Sequence, residues 1–266
     1  MTTNLLGVKI DYVTIDQAVQ TADMWLQSRG KHYIVTPNPE MIVDSAFDIK
    51  FKAALNEADL AIPDSSRLGW GSKLQDLKNP LLKFIYLPFF LFPKILTGNT
   101  YKTTAGTDLM EKLIKLSEEK GYRTAFLGAS KEVAVKLFQC LSQKYPKLKI
   151  LICSGNIKVN KEGDSQFDTG EVLNPYSLTE KIDIMFIAFG HIKQEKWINK
   201  NLPKLNTKVM VGVGGAFDYL SGSVPRAPKI IRSLGMEWIF RLAVQPWRIK
   251  RLWKLPYFVY MVMTRK

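Results

Sequence analysis

The chain has 266 residues, 46% of them hydrophobic and 23% charged, which excludes a disordered protein and allows one sizeable domain with an appendage. Its two cysteines and two distant histidines exclude a disulfide framework and disfavour a zinc site, so a cytoplasmic, reducing location is expected. The formal net charge of +14 predicts an anionic partner, which is nucleic acid, anionic lipid or a phosphorylated substrate.

Strand and helix patterns begin to alternate near residue 31. Residues 31–36 predict a strand, residues 39–58 a helix, and residues 60–63 a second short strand. The most apolar segment lies at residues 81–96, but it is shorter than the roughly 20 apolar residues that span a bilayer, and prolines interrupt it. Core packing is the favoured interpretation of this segment, and an interfacial patch is the alternative.

The alternation continues to residue 213. In chain order, the patterns predict a helix at 107–120, a strand at 123–127, a helix at 130–144, strands at 149–153 and 183–189, a helix at 193–201 and a strand at 208–213. This order predicts an α/β fold with a mostly parallel sheet and helices on both faces. Ligands of such sheets bind beyond the carboxyl ends of the strands, so residues that follow the strands are candidate site residues.

The segment 222–266 differs in composition from the rest of the chain. It holds ten basic residues and one acidic residue, Glu237, with aromatic residues between them. Two short helices are predicted, at 236–244 and 247–255. We therefore predict an α/β domain at 1–221 and a helical, basic, aromatic appendage at 222–266. A membrane interface, single-stranded nucleic acid, or packing against the body would each suit this composition.

Asp64 is the first candidate for catalysis, because it ends a short predicted strand. A carboxylate in this place is either the N-cap of the next helix or a general base held in a cleft. Thr36 and Asn38 lie between a predicted strand and a predicted helix, and the prolines on either side of Asn38 fix the backbone there. These two residues either cap the helix or contact a ligand.

Other candidates lie beside strand ends and helix starts. The glycines at such places are candidate substrate-binding positions, with phosphate binding by backbone N–H groups as one role: Gly106, Gly128 and Gly214. The loop of Gly214 matches no dinucleotide or ATP motif. Lys193 at the start of a predicted helix could contact a phosphate, and Gln194 and Glu195 a sugar or base. A solvated helix start is the alternative.

Taken together in order, these motifs resemble the WecG/TagA/CpsF glycosyltransferases. The resemblance covers about residues 36–251 and rests on a series of short motifs, each weak alone: TPNPEM (36–41), LNEADLAIPD (55–64), GTDLM (106–110), FLGAS (126–130), FGHIKQEKW (189–197), GVGGAFDYLSGSVPRAP (212–228), GMEWIFRL (235–242) and QPWR (245–248).

The resemblance implies a Rossmann-like α/β fold and an inverting transferase that uses a UDP-activated sugar, often N-acetylmannosamine or its uronic acid. The implied acceptor is a sugar on a polyprenyl diphosphate, in surface polysaccharide or teichoic acid biosynthesis. No metal or other cofactor is implied, and the chain has no DxD motif. The implied partners are the UDP-sugar, the lipid-linked acceptor and an anionic membrane surface, with a peripheral location at the inner face of the cell membrane.

The resemblance also implies roles for individual residues. Asp64 takes the position of the catalytic base, Thr36 and Asn38 fall in the substrate pocket, and Gln194 and Glu195 lie near the nucleotide sugar. Three arginines of the appendage are implied to reach the membrane and help close the active site: Arg241, Arg248 and Arg251.

Two departures from the family pattern lie beside the presumed donor pocket. Ser65 and Ser66 follow Asp64 where glycine is usual, and His191 and Ile192 precede Lys193 where a small residue and proline are common. We therefore expect the donor sugar to differ from the familiar ones. The alternatives from other classes are a basic nucleic-acid-binding protein, disfavoured because no nucleic-acid module is recognisable, and a non-catalytic peripheral membrane protein. A homo-oligomer is possible, and the oligomeric state stays open.

Overall fold

The computed structural model describes residues 1–98, 100–154, 157–166, 181–228, 231–232, 237–246, 249 and 253–264. The strands are β1 Thr2–Leu5, β2 Val8–Asp11, β3 His32–Val35, β4 Leu60–Ala61, β5 Arg123–Gly128, β6 Lys149–Ser154, β7 Lys158–Val159, β8 Ser165–Gln166, β9 Ile182–Ala188 and β10 Thr207–Gly212. The helices are α1 Ile15–Gln27, α2 Pro39–Ser45, α3 Ile49–Asn56, α4 Ser66–Gln75, α5 Pro80–Tyr86, α6 Pro93–Thr97, α7 Gly106–Lys120, α8 Lys131–Lys144, α9 Lys193–Asn201, α10 Ala216–Leu220, α11 Glu237–Val244 and α12 Lys254–Thr264, with a 3-10 turn at Leu87–Phe90.

Six parallel strands form the central sheet, in the order β4-β3-β10-β9-β5-β6. Its central strands are buried on both faces, which explains why they are nearly continuous apolar runs in the sequence. In β9, Met185 and Ile187 pack into one apolar cluster, whereas Ile184 and Phe186 pack into the other. The predicted parallel α/β sheet with helices on both faces is confirmed.

The N-terminal region contains elements that the sequence patterns did not predict. Strands β1 and β2 form an antiparallel hairpin, and α1 begins at a capping box made by Thr14 and Gln17. The single helix predicted at 39–58 is wrong, because the chain forms α2 and α3 there. Asp48 caps α3 by accepting a hydrogen bond from the backbone of Phe51 at 2.9 Å, and this cap separates the two helices.

The apolar segment at 81–96 folds into α5, the 3-10 turn and α6, and it has two different faces. On the inner face, the buried indole of Trp70 donates to the carbonyl of Tyr86 at 3.0 Å and meets the Phe90 ring at a centroid distance of 5.1 Å. On the outer face, Leu81, Phe84 and Ile95 are 67%, 64% and 72% exposed. Core packing is therefore correct only for the inner face and wrong for the outer one.

The C-terminal segment contributes to the main core. Helix α11 confirms the helix predicted at 236–244, whereas the prediction at 247–255 falls mainly on residues outside the described ones. Helix α12 packs against α2 and α4, where Phe258 and Met261 are fully buried. The boundary predicted at residue 221 stays a prediction. Every helix in the described part of the chain is too short or too polar to cross a membrane.

Candidate active site

The carboxyl ends of β3, β5, β9 and β10 meet at one edge of the sheet, where a cavity of about 430 Å³ opens. The loops that follow these strands line it, together with α10 and the first turns of α2, α7 and α9. We call it the strand-end cavity. Of the sequence-predicted residues, seven line it: Thr36, Asn38, Asp64, Gly106, Gln194, Gly214 and Arg241.

A second cavity of about 270 Å³ lies between the start of α4, α6 and α11. We call it the α4–α11 cavity, and its charged lining differs from that of the strand-end cavity. Four residues line both cavities: Asn38, Glu40, Asp64 and Arg241. Asp64 therefore lies where the two cavities meet.

The backbone around Asp64 fixes its carboxylate in this position. The Asp64 amide donates to the carbonyl of Pro37 at 2.9 Å, and its Oδ1 accepts from the amide of Gly106 at 2.9 Å. Gly106 is the first residue of α7, so the carboxylate faces the positive end of that helix. Ser65, not Asp64, caps α4, so Asp64 caps a different helix from the one that follows it in sequence.

The protonation of Asp64 is set by opposing effects. Burial raises the pKa of Asp64 to about 6, because removing the carboxylate from water disfavours its charged form. The positive charge of Arg241 and the N–H of Gly106 act against this rise, whereas Glu237 and Asp108 add to it. A carboxylate with this pKa is mostly ionised at pH 7 and is a stronger base than an exposed aspartate.

Arg241 projects from α11 toward both cavities. Its Nη2 lies 2.7 Å from Oε1 of Glu237, one turn earlier on the same helix, and its guanidinium stacks 5.0 Å from the centroid of Tyr219. These contacts hold a positive charge beside Asp64. Arg248 and Arg251, which the sequence assigned to the same role, lie outside the described residues, and their role stays a prediction.

Gln194 and Glu195 have different positions. The buried Gln194 accepts from the amide of Gly214 at 3.1 Å through Oε1, and its Nε2 donates to Oε1 of Glu195 at 2.7 Å. Glu195 is fully buried, and burial raises the pKa of its carboxyl. Gln194 lines the strand-end cavity, whereas Glu195 lies behind it and orients its amide.

The loops that carry these residues have unusual backbone angles. Ile192, the N-cap of α9, has φ +73°, which is strained for a β-branched residue. Gly128 has φ +116°, and a Cβ there would lie 2.6 Å from the backbone of Ala188, so only glycine fits. Neither Gly128 nor Lys193 lines the strand-end cavity or the α4–α11 cavity. Gly128 permits the close approach of β5 and β9, and Lys193 lies in the first turn of α9.

Thr36 and Asn38 connect the end of β3 to α2. The Thr36 hydroxyl donates to the carbonyl of Gly212 at 3.2 Å, which ties β3 to β10 at the cavity wall. Asn38 is the N-cap of α2, with Oδ1 accepting from Met41 at 3.0 Å, so the capping interpretation of Asn38 is confirmed. Both side chains also line the strand-end cavity, so capping does not exclude contact with a ligand.

The two departures from the family pattern lie on different sides of Asp64. Ser65 and Ser66 line the α4–α11 cavity, whereas His191 lines the strand-end cavity. The expectation that both lie beside the donor pocket stays a prediction. His191 Nε2 lies 3.0 Å from Oδ2 of Asp44, and Oδ1 of Asp44 accepts from Lys254 of α12 at 2.6 Å. Hydrogen bonds from these two partners lower the pKa of Asp44, although burial acts to raise it.

Sequence patterns missed several residues of the α4–α11 cavity. These are Arg67, Lys94, Asp108, Arg232, Glu237 and Trp238. Arg67 is three positions after Asp64, and this spacing was the only available signal. Lys94 and Arg232 are far from Asp64 in sequence, and only the packing of α6 and the C-terminal segment brings them to the cavity.

Known glycosyltransferases are similar to this chain in sequence. The sequence model of the family described as "Glycosyl transferase WecG/TagA/CpsF family" matches residues 3–91 and 87–266. An N-acetylglucosaminyldiphosphoundecaprenol N-acetyl-beta-D-mannosaminyltransferase from Staphylococcus aureus strain MRSA252 is 29% identical over 265 residues, which are 99% of this chain and 92% of that protein. The protein of the same name from strain NCTC 8325 / PS 47 is similar to the same extent. The chain belongs to the WecG/TagA/CpsF family of glycosyltransferases.

Proposed function

We propose that this glycosyltransferase moves an N-acetylmannosamine-type sugar, or a related hexose, from a UDP-sugar to a sugar on a lipid diphosphate. The reaction would serve surface polysaccharide or teichoic acid biosynthesis. One observation carries the proposal: a carboxylate with a pKa of about 6 lies where two cavities meet. A transferase needs a base within reach of both the donor and the acceptor.

Asp64 is the general base in this proposal. Its Oδ1 is held by the N–H of Gly106, and Oδ2 takes the proton from the acceptor hydroxyl. The hydroxyl oxygen then forms a bond to the anomeric carbon of the donor while the bond from that carbon to the UDP oxygen breaks. Attack from the face opposite the departing UDP inverts the configuration of that carbon.

The donor belongs in the strand-end cavity. Ligands of parallel α/β sheets bind beyond the carboxyl ends of the strands, and this cavity opens there. We assign Gln194, Thr36 and the backbone of Gly214 to the nucleotide sugar. Negative charge develops on the diphosphate as UDP leaves, and Arg241 is placed to stabilise it. Arg248 and Arg251 are proposed to assist, and no metal is assigned a role.

The acceptor is proposed from the names of the relatives and from the second cavity. The relatives are named for transfer to N-acetylglucosaminyldiphosphoundecaprenol. A lipid-linked sugar diphosphate would enter through the α4–α11 cavity, so that its hydroxyl meets Asp64 from the side opposite the donor. Ser65 and Ser66 then lie beside the acceptor, and we assign them to acceptor selection rather than donor selection.

The exposed apolar face of α5 and α6 supports a peripheral membrane location. Its side chains include Leu81, Phe84, Leu91, Phe92 and Ile95. The neighbouring Phe90 packs against Arg67, which lines the α4–α11 cavity. Apolar side chains that lie beside cations are typical of proteins that bind anionic membrane surfaces. This arrangement would place the mouth of the cavity near the headgroups, where the diphosphate of a polyprenyl lipid lies.

A mass-resolved screen of UDP-sugars against short-chain prenyl-diphosphate-linked sugars tests the proposal. We expect one pair to give a product heavier than the acceptor by one sugar residue, with release of UDP, also in the presence of EDTA. Salt-sensitive binding of single-stranded nucleic acid without any product would favour the nucleic-acid alternative instead.

A further inference from the structure

A buried arginine in the α4–α11 cavity forms no ion pair with any carboxylate in the described part of the chain. Arg67 is 5% exposed, and its guanidinium carbon lies 5.1 Å from the Phe90 centroid and 5.0 Å from the Trp238 centroid. Among the described residues, its Nε has no hydrogen-bond partner and no carboxylate forms an ion pair with it. Burial lowers its pKa to about 10, so it stays charged at neutral pH.

Two of the carboxylates that line this cavity, those of Asp108 and Glu237, are held by other arginines. Asp108 lies 2.7 Å from Nη2 of Arg226 and 3.7 Å from Nη1 of Arg232, and Glu237 is paired with Arg241. A buried guanidinium without a partner is costly. The rings of Phe90 and Trp238 contact the guanidinium and stabilise the cation, but among the described residues no acceptor bonds to its N–H groups.

The position of Arg67 identifies the kind of anion. The guanidinium lines the α4–α11 cavity, on the opposite side of Asp64 from the strand-end cavity that holds the proposed donor. It also contacts Phe90, whose neighbours Leu91 and Phe92 are exposed on the proposed membrane face. An anion here would lie in the same cavity as Asp64 and beside the apolar face that is proposed to meet the membrane.

We propose that Arg67, with Lys94 at the rim of the same cavity, binds the diphosphate of the lipid-linked acceptor. This inference rests on the proposed function and adds the residue that positions the acceptor. A guanidinium suits the task because it donates two parallel hydrogen bonds to phosphate oxygens. Phe90 and Trp238 keep its plane fixed, so the acceptor sugar is held at a defined distance from Asp64.

Steady-state kinetics with each substrate varied in turn tests this assignment. For Arg67→Gln, we expect the KM for a short-chain prenyl-diphosphate-linked sugar to rise about 10- to 100-fold, while the KM for the UDP-sugar stays within about twofold. Arg67→Lys keeps the positive charge but loses the two parallel hydrogen bonds, so its KM for the acceptor should lie between those of the wild type and Arg67→Gln. Arg29→Gln, an exposed arginine at the opposite edge of the sheet, is the matched control and should change neither KM.

The same inference can be tested on the unaltered protein, in case the variants fold poorly. A short-chain prenyl diphosphate that lacks a sugar should compete with the acceptor and not with the UDP-sugar. Competition with the UDP-sugar, or a rise in its KM in the variants, would assign Arg67 to the donor diphosphate and overturn the inference. An unchanged acceptor KM in folded variants would also overturn it. Absence of transfer by the wild-type protein with every donor and acceptor would count against the proposed function instead.

Discussion

At the scale of single residues, the site depends on a balance of charge around one carboxylate. Burial alone moves the pKa of Asp64 upward, and the neighbouring groups act in both directions. Arg241 lowers the pKa and Glu237 raises it, although these two residues are paired with each other. The strength of the base therefore depends on α11, which is more than 170 positions away in sequence.

This balance predicts the pH dependence of transfer. A base must be ionised to accept a proton, so kcat/KM should be constant above the pKa of Asp64 and fall tenfold per pH unit below about 6. Arg241→Gln removes the charge that lowers this pKa, so the acid limb should move to higher pH. Glu237→Gln should move it to lower pH. If neither substitution shifts the pH at which kcat/KM falls, this fall reports the titration of a group other than Asp64.

At the scale of elements, the C-terminal helix is part of the core. Phe258 on α12 is fully buried beside Trp70 of α4, with ring centroids 6.4 Å apart, whereas Tyr260 on the same helix is 59% exposed. Lys254 at the start of α12 binds Asp44 on α2, and Asp44 also contacts His191 at the strand-end cavity. Helix α12 therefore helps to position Asp44 and His191 at the strand-end cavity.

Two substitutions on α12 test this role. Phe258→Ala should lower the free energy of unfolding by about 3–5 kcal/mol, because it leaves a cavity in the core. Tyr260→Ala should change it by less than about 0.5 kcal/mol, since the side chain is exposed. Denaturant unfolding of both variants measures the difference. Equal effects would mean that α12 does not pack as described.

Parts of the fold could be predicted from sequence, and physical reasons separate them from the rest. Buried parallel strands such as β9 and β10 are apolar runs of fixed length, so periodicity was sufficient to place them. The break between α2 and α3 depends on one cap at Asp48, which the apolar pattern of 39–58 does not report. In segment 81–96, Phe84 and Phe90 are the same residue type on opposite faces, and only the position of Trp70 decides which is covered.

The candidate site shows the same division. Asp64 and Gln194 stand at strand ends and helix starts, and their local sequence indicates a role. For Arg67 the only local signal is its position three residues after Asp64, and the sequence does not show its contacts with Phe90 and Trp238, which the 3-10 turn and α11 bring to it.

At the scale of the whole molecule, two features favour the proposed binding to an anionic membrane surface: the net charge of +14 and the exposed apolar face of α5 and α6. Deletion of residues 222–266 would be a poor test of whether the appendage binds membranes, because the deletion also removes Phe258 and Met261 from the core. Exposed side chains can be replaced without this loss.

We expect Phe84→Glu with Ile95→Glu to reduce binding to vesicles of anionic phospholipid by about tenfold or more, since two apolar contacts are replaced by negative charge. Met24→Glu on α1, at a residue 58% exposed on a different face, is the control and should bind nearly as well as the wild type. Vesicle sedimentation measures both. Equal binding by the double variant would move the membrane contact to the C-terminal segment.

The central claim, that Asp64 is the base of a sugar transfer, is tested most directly by Asp64→Asn in the mass-resolved transfer assay. The asparagine keeps an oxygen to accept from Gly106 and so should keep the fold, which thermal unfolding checks. Transfer should fall about 10²–10⁴-fold, whereas Asp16→Asn, at an exposed aspartate on α1, should leave it unchanged. A folded Asp64→Asn protein that forms product at nearly the wild-type rate would contradict the claim.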